Sequence, residues 1–287
     1  DVVSDFLRAR VDYDISDAWG VMYQYGNSDS ETTSAGGGDR DPLLGNTSFG
    51  ANIINGTPVG TVKFFSHELQ LQYSHQQWSG FVGVFTSEID DFDKFDLGIA
   101  PLRGTEPIIV DATAGILSGT TFNIGLTNAA TDVLTDAIFG QISWTTEDGS
   151  LRITAEGRYS DEEKVLDSNT TTEADTIFKA NGTEFTPRFS VDYELDEDRM
   201  VYASLARGAK SGGFNNTVFD ESQRSFEPDE NWTTEVGSKN DLLNGKLRLN
   251  GALFYTNWND LQIASSPVGI PAGVTPPAIV DNTGGAS

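Results

Sequence analysis

The fold is decided by residues 138–159, which read IFGQISWTTEDGSLRITAEGRY. In the second half of this stretch, Leu151, Ile153 and Tyr159 fall on one side of an extended chain, and polar residues alternate with them. A helix would scatter these apolar residues around its axis, whereas a strand places every second residue on the same face. The intervening residues 147–150 are Glu, Asp, Gly and Ser, which favour a turn. The stretch therefore predicts an antiparallel hairpin.

The same alternation recurs along the chain, in pairs of strands that are joined by tight turns. These turns are predicted at residues 14–17, 74–77, 147–150, 195–198 and 241–245. Longer polar connections separate the pairs, at roughly residues 27–62, 88–135, 160–183, 209–228 and 260–280. Because short and long connections alternate strictly, every long connection lies at the same end of the sheet.

This organisation is typical of an outer-membrane barrel, with short turns on one side and long loops outside. We therefore predict an all-β fold, an antiparallel up-and-down transmembrane β-barrel with long extracellular loops. The pattern provides about ten strands, and the chain stops without a closing strand. An incomplete final strand leaves an unpaired edge, whereas a sheet in lipid must pair all its edges. We therefore expect these strands to be an open arc of a larger cylinder.

Composition excludes several classes of function. Lys and Arg number 18 against 43 Asp and Glu, a net charge of −25, which is incompatible with a nucleic-acid partner. With no Cys and two His, disulfides, thiolate zinc sites and His-rich metal centres are excluded, and we expect no metal and no cofactor. No nucleophile elbow or other catalytic motif is present, so we do not expect an enzyme.

Charged residues within the strands are expected to face the lumen of the barrel. An Arg or Lys on the lipid face costs roughly 2–4 kcal/mol at the middle of the bilayer. The residues predicted to face the lumen are Arg8, Arg10, Arg152, Glu156, Arg158, Glu235 and Arg248.

The tryptophans lie at or near the ends of predicted strands. Amphipathic rings prefer the headgroup level, so a girdle at the membrane interface is expected. The residues concerned are Trp19, Trp78, Trp144, Trp232 and Trp258. The alternative is that these aromatics are ordinary strand residues, which are common in any β protein.

One candidate ligand site lies where a strand leaves the membrane for a loop. Arg207, Lys210, Phe214 and Asn215 are close together there. A cationic and aromatic rim could hold an anionic chelate or stack on a sugar. The alternative is a structural role, in which the neighbouring glycines ease the exit of the strand.

Two adjoining stretches resemble a known family. Residues 185–215 read FTPRFSVDYELDEDRMVYASLARGAKSGGFN, and residues 226–263 read FEPDENWTTEVGSKNDLLNGKLRLNGALFYTNWNDLQI. Both resemble strand pairs of the β-barrel of TonB-dependent outer-membrane receptors. The resemblance implies a barrel of about 22 strands with a plugged lumen. It also implies active uptake of a ferric siderophore or a similar scarce nutrient, such as another small-molecule chelate or an oligosaccharide, energised through the TonB–ExbB–ExbD complex.

The resemblance makes residues 1–287 part of a single barrel domain, as an internal fragment without the plug domain and the terminal strands. Its surroundings would be outer-membrane lipid and lipopolysaccharide of a Gram-negative bacterium, and contact with TonB would occur through the plug region. Two other functions stay open at this point. They are a passive porin-like outer-membrane channel and a surface β-sandwich that binds glycans.

Overall fold

The fold is described by a computed structural model, which covers residues 2–33, 51–101, 108–109, 123–170, 176–215, 218, 220–266, 268–269 and 279–285. Fifteen strands and one turn of 3-10 helix lie in these ranges. In chain order they are β1 (Val2–Asp14), β2 (Trp19–Thr33), β3 (Ala51–His75), β4 (Trp78–Pro101), β5 (Ile108–Ile109), β6 (Asn123–Thr145), β7 (Leu151–Thr170), β8 (Thr176–Asp196), β9 (Arg199–Lys210), β10 (Gly213–Phe214), the 3-10 turn (Glu221–Gln223), β11 (Ser225–Phe226), β12 (Asp229–Leu242), β13 (Leu247–Asn259), β14 (Gln262–Ser265) and β15 (Ile279–Asn282).

Ten of these strands form one antiparallel meander. Their order in the sheet is β1-β2-β3-β4-β6-β7-β8-β9-β12-β13, and the short β5 also pairs with β4. Among the described residues, β1 and β13 each pair along one edge only, so the sheet is an open arc. The predicted all-β, up-and-down arrangement of about ten strands is confirmed.

The long connections are shorter than the sequence predicted. Strands β3, β4, β6, β7 and β8 have 20 to 25 residues each and continue far into the ranges expected to be loops. The β6–β7 ladder, for example, runs without interruption from Thr145 opposite Arg152 to Thr127 opposite Thr170. Apolar alternation ends midway along these strands, but backbone pairing does not require it, so polar strand was mistaken for loop.

The tight turns lie where the sequence predicted them, and their backbone explains the residue types. Gly149 in the β6–β7 turn has a φ of +75°. Leu243, Asn244 and Gly245 in the β12–β13 turn have φ values of 56°, 57° and 76°. Glycine adopts this left-handed region without steric cost, and Asn tolerates it better than most residues.

The sheet has an apolar face and a polar face. One row of directly opposed residues crosses six neighbouring strands on the apolar face, and each side chain is well exposed: Tyr23, Leu69, Val84, Ile138, Tyr159 and Phe185. The residues that alternate with them on the polar face include Gln70, Gln141, Ser143, Thr154, Glu156 and Arg188.

The apolar stretch of each of the strands β7 and β8 is comparable in length to the apolar band of an outer-membrane barrel. On β7 it runs from Leu151 to Tyr159, and on β8 it runs from Phe185 to Tyr193. The eight steps between the first and last of these nine residues, at roughly 3.3 Å each, give a length of about 26 Å along the strand. A strand tilt of about 40° reduces this to a height of roughly 20 Å, slightly less than the apolar band of about 25 Å that surrounds outer-membrane barrels. The lipid-facing interpretation therefore rests on a continuous band of side chains.

The described chain has almost no conventional hydrophobic core. Its buried apolar residues are Met22, Ala129, Ala137, Leu166 and Ile279. None of the helical structure in the described ranges is long and apolar enough to cross a membrane.

Candidate ligand-binding mouth

The candidate site lies at the long-loop end of the sheet. Here described residues of the loop that carries β10 and β11 (residues 211–228) contact the extended ends of β7 and β8. Described residues of the loop that carries β14 and β15 (residues 260–283) hydrogen-bond to the β10–β11 loop. We call these two loops and the strand ends around them the mouth. The mouth buries the polar side chains of Asn215, Arg224 and Asp229 and contains a dense hydrogen-bond network.

Asn215 joins the two loops of the mouth. Its side-chain amide donates to the carbonyls of Gln223 and Val280, both at 2.8 Å. Its side-chain oxygen Oδ1 accepts a hydrogen bond from the backbone N–H of Val280, also at 2.8 Å. Asn215 is only 7% exposed, so these bonds are protected from water. The loops are therefore one structural unit, and the residue predicted to contact ligand holds them together.

Asn282 and Gln262 add further links between the same loops. The Asn282 amide donates to the carbonyls of Glu227 at 2.9 Å and Asp260 at 2.8 Å. The Gln262 amide donates to the carbonyls of Ser211 and Glu227, both at 3.0 Å. Side chains thus satisfy backbone groups that no sheet ladder pairs in this region, as buried polar groups require.

An aromatic and cationic stack connects the loops to β8. The Arg224 guanidinium lies 4.8 Å from the centroid of the Phe178 ring, and Arg224 is 5% exposed. The Phe178 ring in turn lies 5.9 Å from the ring of Phe214. A guanidinium at this distance from a ring is stabilised by cation–π attraction, more so when it is desolvated.

A cavity of about 300 Å³ lies between the β10–β11 hairpin and the extended β7 and β8. Its apolar wall consists of Phe214, Phe226 and Pro228, and its charged wall includes Lys164 and Glu184. Lys164 donates to the carbonyl of Gly212 at 2.8 Å and forms an ion pair of 3.0 Å with Glu162. The cavity combines ring surfaces with hydrogen-bonding groups, as small-molecule sites do.

Arg207 lies beside this cavity but is fully engaged by protein groups. The β8–β9 ladder ends at Arg188 opposite Ala206, and the Arg207 guanidinium spans the gap beyond it. It donates to the Phe185 carbonyl and forms ion pairs with Glu230 and, at 3.6 Å, with Glu184. The predicted ligand-binding residue is therefore a bridge between β8 and β12.

Two carboxyl groups beside Arg207 have shifted pKa values. The hydrogen bond from Arg207 lowers the pKa of Glu230, although partial burial opposes it. Burial raises the pKa of Glu184, and the nearby Arg207 offsets this only in part. The mouth thus holds two neighbouring carboxylates whose proton affinities are shifted in opposite directions.

The four residues predicted to bind ligand have different positions. Phe214 lines the cavity, whereas Asn215 and Arg207 hold the surrounding structure. Lys210 is exposed at the end of β9, and the residues lining the cavity do not include it. Sequence reasoning missed Glu162, Lys164 and Phe178, since residues 160–183 were predicted to form a loop, and Phe226, since residues 209–228 were predicted to form another. It also missed Glu184, which directly precedes the predicted strand.

The residues predicted to face the lumen share the polar face of the sheet. Arg158 lies 4.9 Å from the Phe85 ring centroid and 5.7 Å from that of Phe139. The other members have these partners: Arg8 with Gln24, Arg10 with Asp12, Arg152 with Thr145, Glu156 with Arg188, Glu235 with Tyr202 and Arg248 with Asp241. That this polar face lines a lumen stays a prediction.

Four of the five tryptophans share the apolar face. Trp78 lies directly opposite Trp144 at the short-turn end, and the ring of Trp19 lies 4.7 Å from that of Tyr73 on the neighbouring strand. Trp232 lies four residues before Val236 in β12, so the two side chains are on the same face of the strand. Their place in an interface girdle stays a prediction.

Trp258 differs from the other four tryptophans. It alternates with the apolar-face residues Leu253 and Tyr255 of β13 and lies opposite Asn231, so its register is that of the polar face. Its place in an interface girdle also stays a prediction. Distance from a turn predicts height in the membrane, whereas the face depends on whether a residue is odd or even in its ladder.

No metal centre is evident in the described ranges. They contain no group of three or more His, Asp or Glu side chains that could hold a metal ion.

Comparison with known proteins identifies related sequences and folds. Residues 2–286 match the family described as "TonB dependent receptor-like, beta-barrel". The pesticin receptor of Yersinia enterocolitica is 29% identical over 93 residues, which are 32% of this chain and 14% of that receptor.

Solved structures share the fold at low sequence identity. The siderophore receptor PiuA from Acinetobacter baumannii has a TM-score of 0.65 at 16% identity, covering 99% of this chain and 42% of that one. The copper transporter OprC has a TM-score of 0.65 at 10% identity, covering 98% and 41%. BauA, the ferric preacinetobactin receptor from Acinetobacter baumannii, has a TM-score of 0.58 at 14% identity, covering 97% and 40%. The chain therefore spans less than half the length of these proteins.

Proposed function

Since the chain belongs to the TonB-dependent receptor-like β-barrel family, we propose that it forms part of the wall of an outer-membrane uptake receptor. The observation that carries this proposal is the family match over residues 2–286. It agrees with the ten-strand antiparallel meander, whose exposed apolar band is suited to contact with lipid. The location that follows is the outer membrane of a Gram-negative bacterium, in contact with lipid and lipopolysaccharide.

The proposed cargo is a ferric siderophore or a similar small-molecule chelate. Similar structures are named as receptors for ferric preacinetobactin and for a siderophore, and one is named as a copper transporter. The cavity at the mouth supports this proposal, because it offers aromatic rings and hydrogen-bonding groups on the long-loop side. Import would be energised by the TonB–ExbB–ExbD complex, acting through a plug that other residues supply.

The chain would contribute barrel wall and outer loops rather than energy coupling. Its meander has unpaired edges at β1 and β13 in the described part of the chain, which further strands would close. We propose no catalytic role, because the family is one of transport receptors.

The two alternative functions are less well supported. A passive porin-like channel does not account for the family match. A glycan-binding sandwich requires two packed sheets with a dry interior, whereas the described residues form one large sheet with an exposed apolar face and two small two-stranded ribbons.

Energised uptake distinguishes a receptor from a porin. Cells that produce the natural protein would be given radioactive iron chelates at nanomolar concentration, with and without a functional TonB gene. We expect accumulation that saturates and that disappears when TonB is deleted or the proton-motive force is collapsed. Uptake that persists without TonB and rises linearly with concentration would instead establish a passive channel.

A further inference from the structure

The polar face and the mouth contain many cations, but protein groups already engage most of them. On the polar face, Arg10 is paired with Asp12, Arg188 with Glu156, and Arg248 with Asp241. Lys239 lies 5.5 Å from the centroid of the Tyr202 ring. A guanidinium or ammonium that is already paired has fewer free donors and less uncompensated charge to offer an anionic ligand.

The cations beside the cavity are also engaged by protein groups. Lys164 is bound by Glu162 and the Gly212 carbonyl, and Arg207 is bound by Glu184 and Glu230. Arg224 is buried against Phe178 and donates to the Asn215 carbonyl. Only Lys179 and Lys210 are exposed cations in the described mouth, and Lys210 does not line the cavity.

Acidic groups exceed basic groups in the lining of the cavity. Its lining contains three glutamates, Glu162, Glu184 and Glu227, against the two lysines Lys164 and Lys179. The raised pKa of Glu184 shows that its burial already penalises negative charge at this position. A further anion placed here would meet the same penalty with little compensating charge.

The outer rim of the sheet is also acidic. Above the apolar band, exposed carboxylates on the same face as Ile138 directly oppose each other across strands, as Asp136 does with Asp161 and Asp90 with Asp132. The whole chain carries a net charge of −25. A surface of one sign attracts ligands of the opposite sign and slows the approach of ligands of the same sign.

We propose that the cargo recognised at this mouth carries no net negative charge, and is a neutral or cationic metal chelate. This rests on the proposed function and narrows its substrate class. The aromatic wall of Phe214, Phe226 and Pro228 would pack against the organic shell of the chelate. The carboxylates would accept hydrogen bonds from its N–H or O–H groups, or face a cationic substituent. This differs from the sequence-based expectation, in which Arg207 and Lys210 formed a rim for an anionic chelate.

The test compares ferric complexes that differ in charge. The probes are a neutral ferric trihydroxamate, a ferric trihydroxamate with a protonated amine, and a trianionic ferric tris-catecholate. Uptake by cells that produce the natural protein is measured with radioactive iron, and cells without TonB serve as the blank. We expect the neutral or cationic complex to be accumulated at least tenfold better than the trianionic complex.

The possible outcomes separate this inference from the proposed function. TonB-dependent accumulation of the trianionic complex alone would overturn the charge inference and leave the uptake function standing. Accumulation of none of the three complexes would overturn both. Preference for the neutral or cationic complex would support both.

A variant tests whether the cavity itself sets the preference. Replacing two of the three cavity glutamates, by Glu162→Gln and Glu184→Gln, removes the ion pair of Lys164 and two negative charges while the side-chain shapes are kept. We expect uptake of the trianionic complex, relative to the neutral one, to rise at least fivefold. Glu197→Gln in the short turn between β8 and β9 is the control and should leave the ratio unchanged.

Heat-modifiable migration of each variant in detergent would verify folding in the membrane. If the double variant folds and imports the neutral complex, yet its charge ratio stays that of the natural protein, the proposal is wrong.

Discussion

The phenol ring of Tyr202 covers the backbone of Gly237 on the neighbouring strand. The two residues are directly opposite each other in the β9–β12 ladder, and a Cβ on Gly237 would lie 2.5 Å from the ring. The Tyr202 hydroxyl donates to Glu235 at 2.5 Å. Glycine at this position therefore lets the ring lie flat on the sheet, where the aromatic side chain substitutes for the one that glycine lacks.

Replacement of this glycine should displace the ring. We expect Gly237→Ala to lower the free energy of unfolding by about 1–3 kcal/mol, the usual cost of overpacking. Denaturant titration of the barrel in detergent or lipid measures this. The control is Gly251→Ala on β13, where a Cβ would have no neighbour within 4 Å. Equal stability of the two variants would show that Tyr202 does not depend on Gly237.

Adjacent residues on opposite faces of β6 should respond differently to the same substitution. Ile142 is 53% exposed on the apolar face, whereas Gln141 lies on the polar face. We expect Ile142→Arg to lower the free energy of unfolding by about 2–4 kcal/mol in a bilayer, as a lipid-exposed cation does. Gln141→Arg is the matched control, with a much smaller effect. The measurement is reversible unfolding from lipid vesicles, and a reversed order would place the lipid on the other face.

Asn215 should control the rigidity of both mouth loops. The variant Asn215→Ala leaves the Val280 N–H and C=O without their partner, at a cost of about 1–3 kcal/mol. Hydrogen exchange at the Val280 amide should therefore accelerate about tenfold to a hundredfold. Asn257→Ala, on the apolar face of β13, is the control. Unchanged exchange would mean that the loops are held together by other contacts.

The carboxyl groups beside Arg207 should make opposite contributions to the pH dependence of stability. Because the pKa of Glu230 is lowered in the folded protein, its contribution is present above the unfolded value of about 4.3 and is lost as pH falls through the lowered pKa. The pKa of Glu184 is raised, so its contribution is present below about 4.3 and is lost as pH rises through the raised pKa.

Glutamine variants separate the two contributions. We expect Glu230→Gln to reduce the loss of stability that occurs as pH falls below about 4.3. We expect Glu184→Gln to reduce the loss of stability that occurs as pH rises above about 4.3. Unfolding midpoints measured over a pH series for both variants and the natural protein provide the check. If both variants changed the profile in the same direction, the proposed roles of burial and of Arg207 would be wrong.

Much of the strand pattern follows from the sequence alone. Alternation in residues 138–159 and the turn residues Gly149, Asn244 and Gly245 specify hairpins, because side-chain direction and turn backbone are local properties. The same alternation places Arg152, Glu156 and Arg158 together on the face opposite Leu151 and Ile153. These features need no knowledge of distant residues.

Only the tertiary structure decided how long the strands are and what the mouth residues do. The polar ends of β7 and β8 have no apolar alternation, so only backbone pairing between distant segments shows that they are strands. Likewise, Arg207 became a bridge because Glu184 and Glu230, 23 positions away on either side, lie beside it in the fold. Local sequence determines the direction of each side chain, but the partners that engage its charge come from other strands, and only the packed chain brings them together.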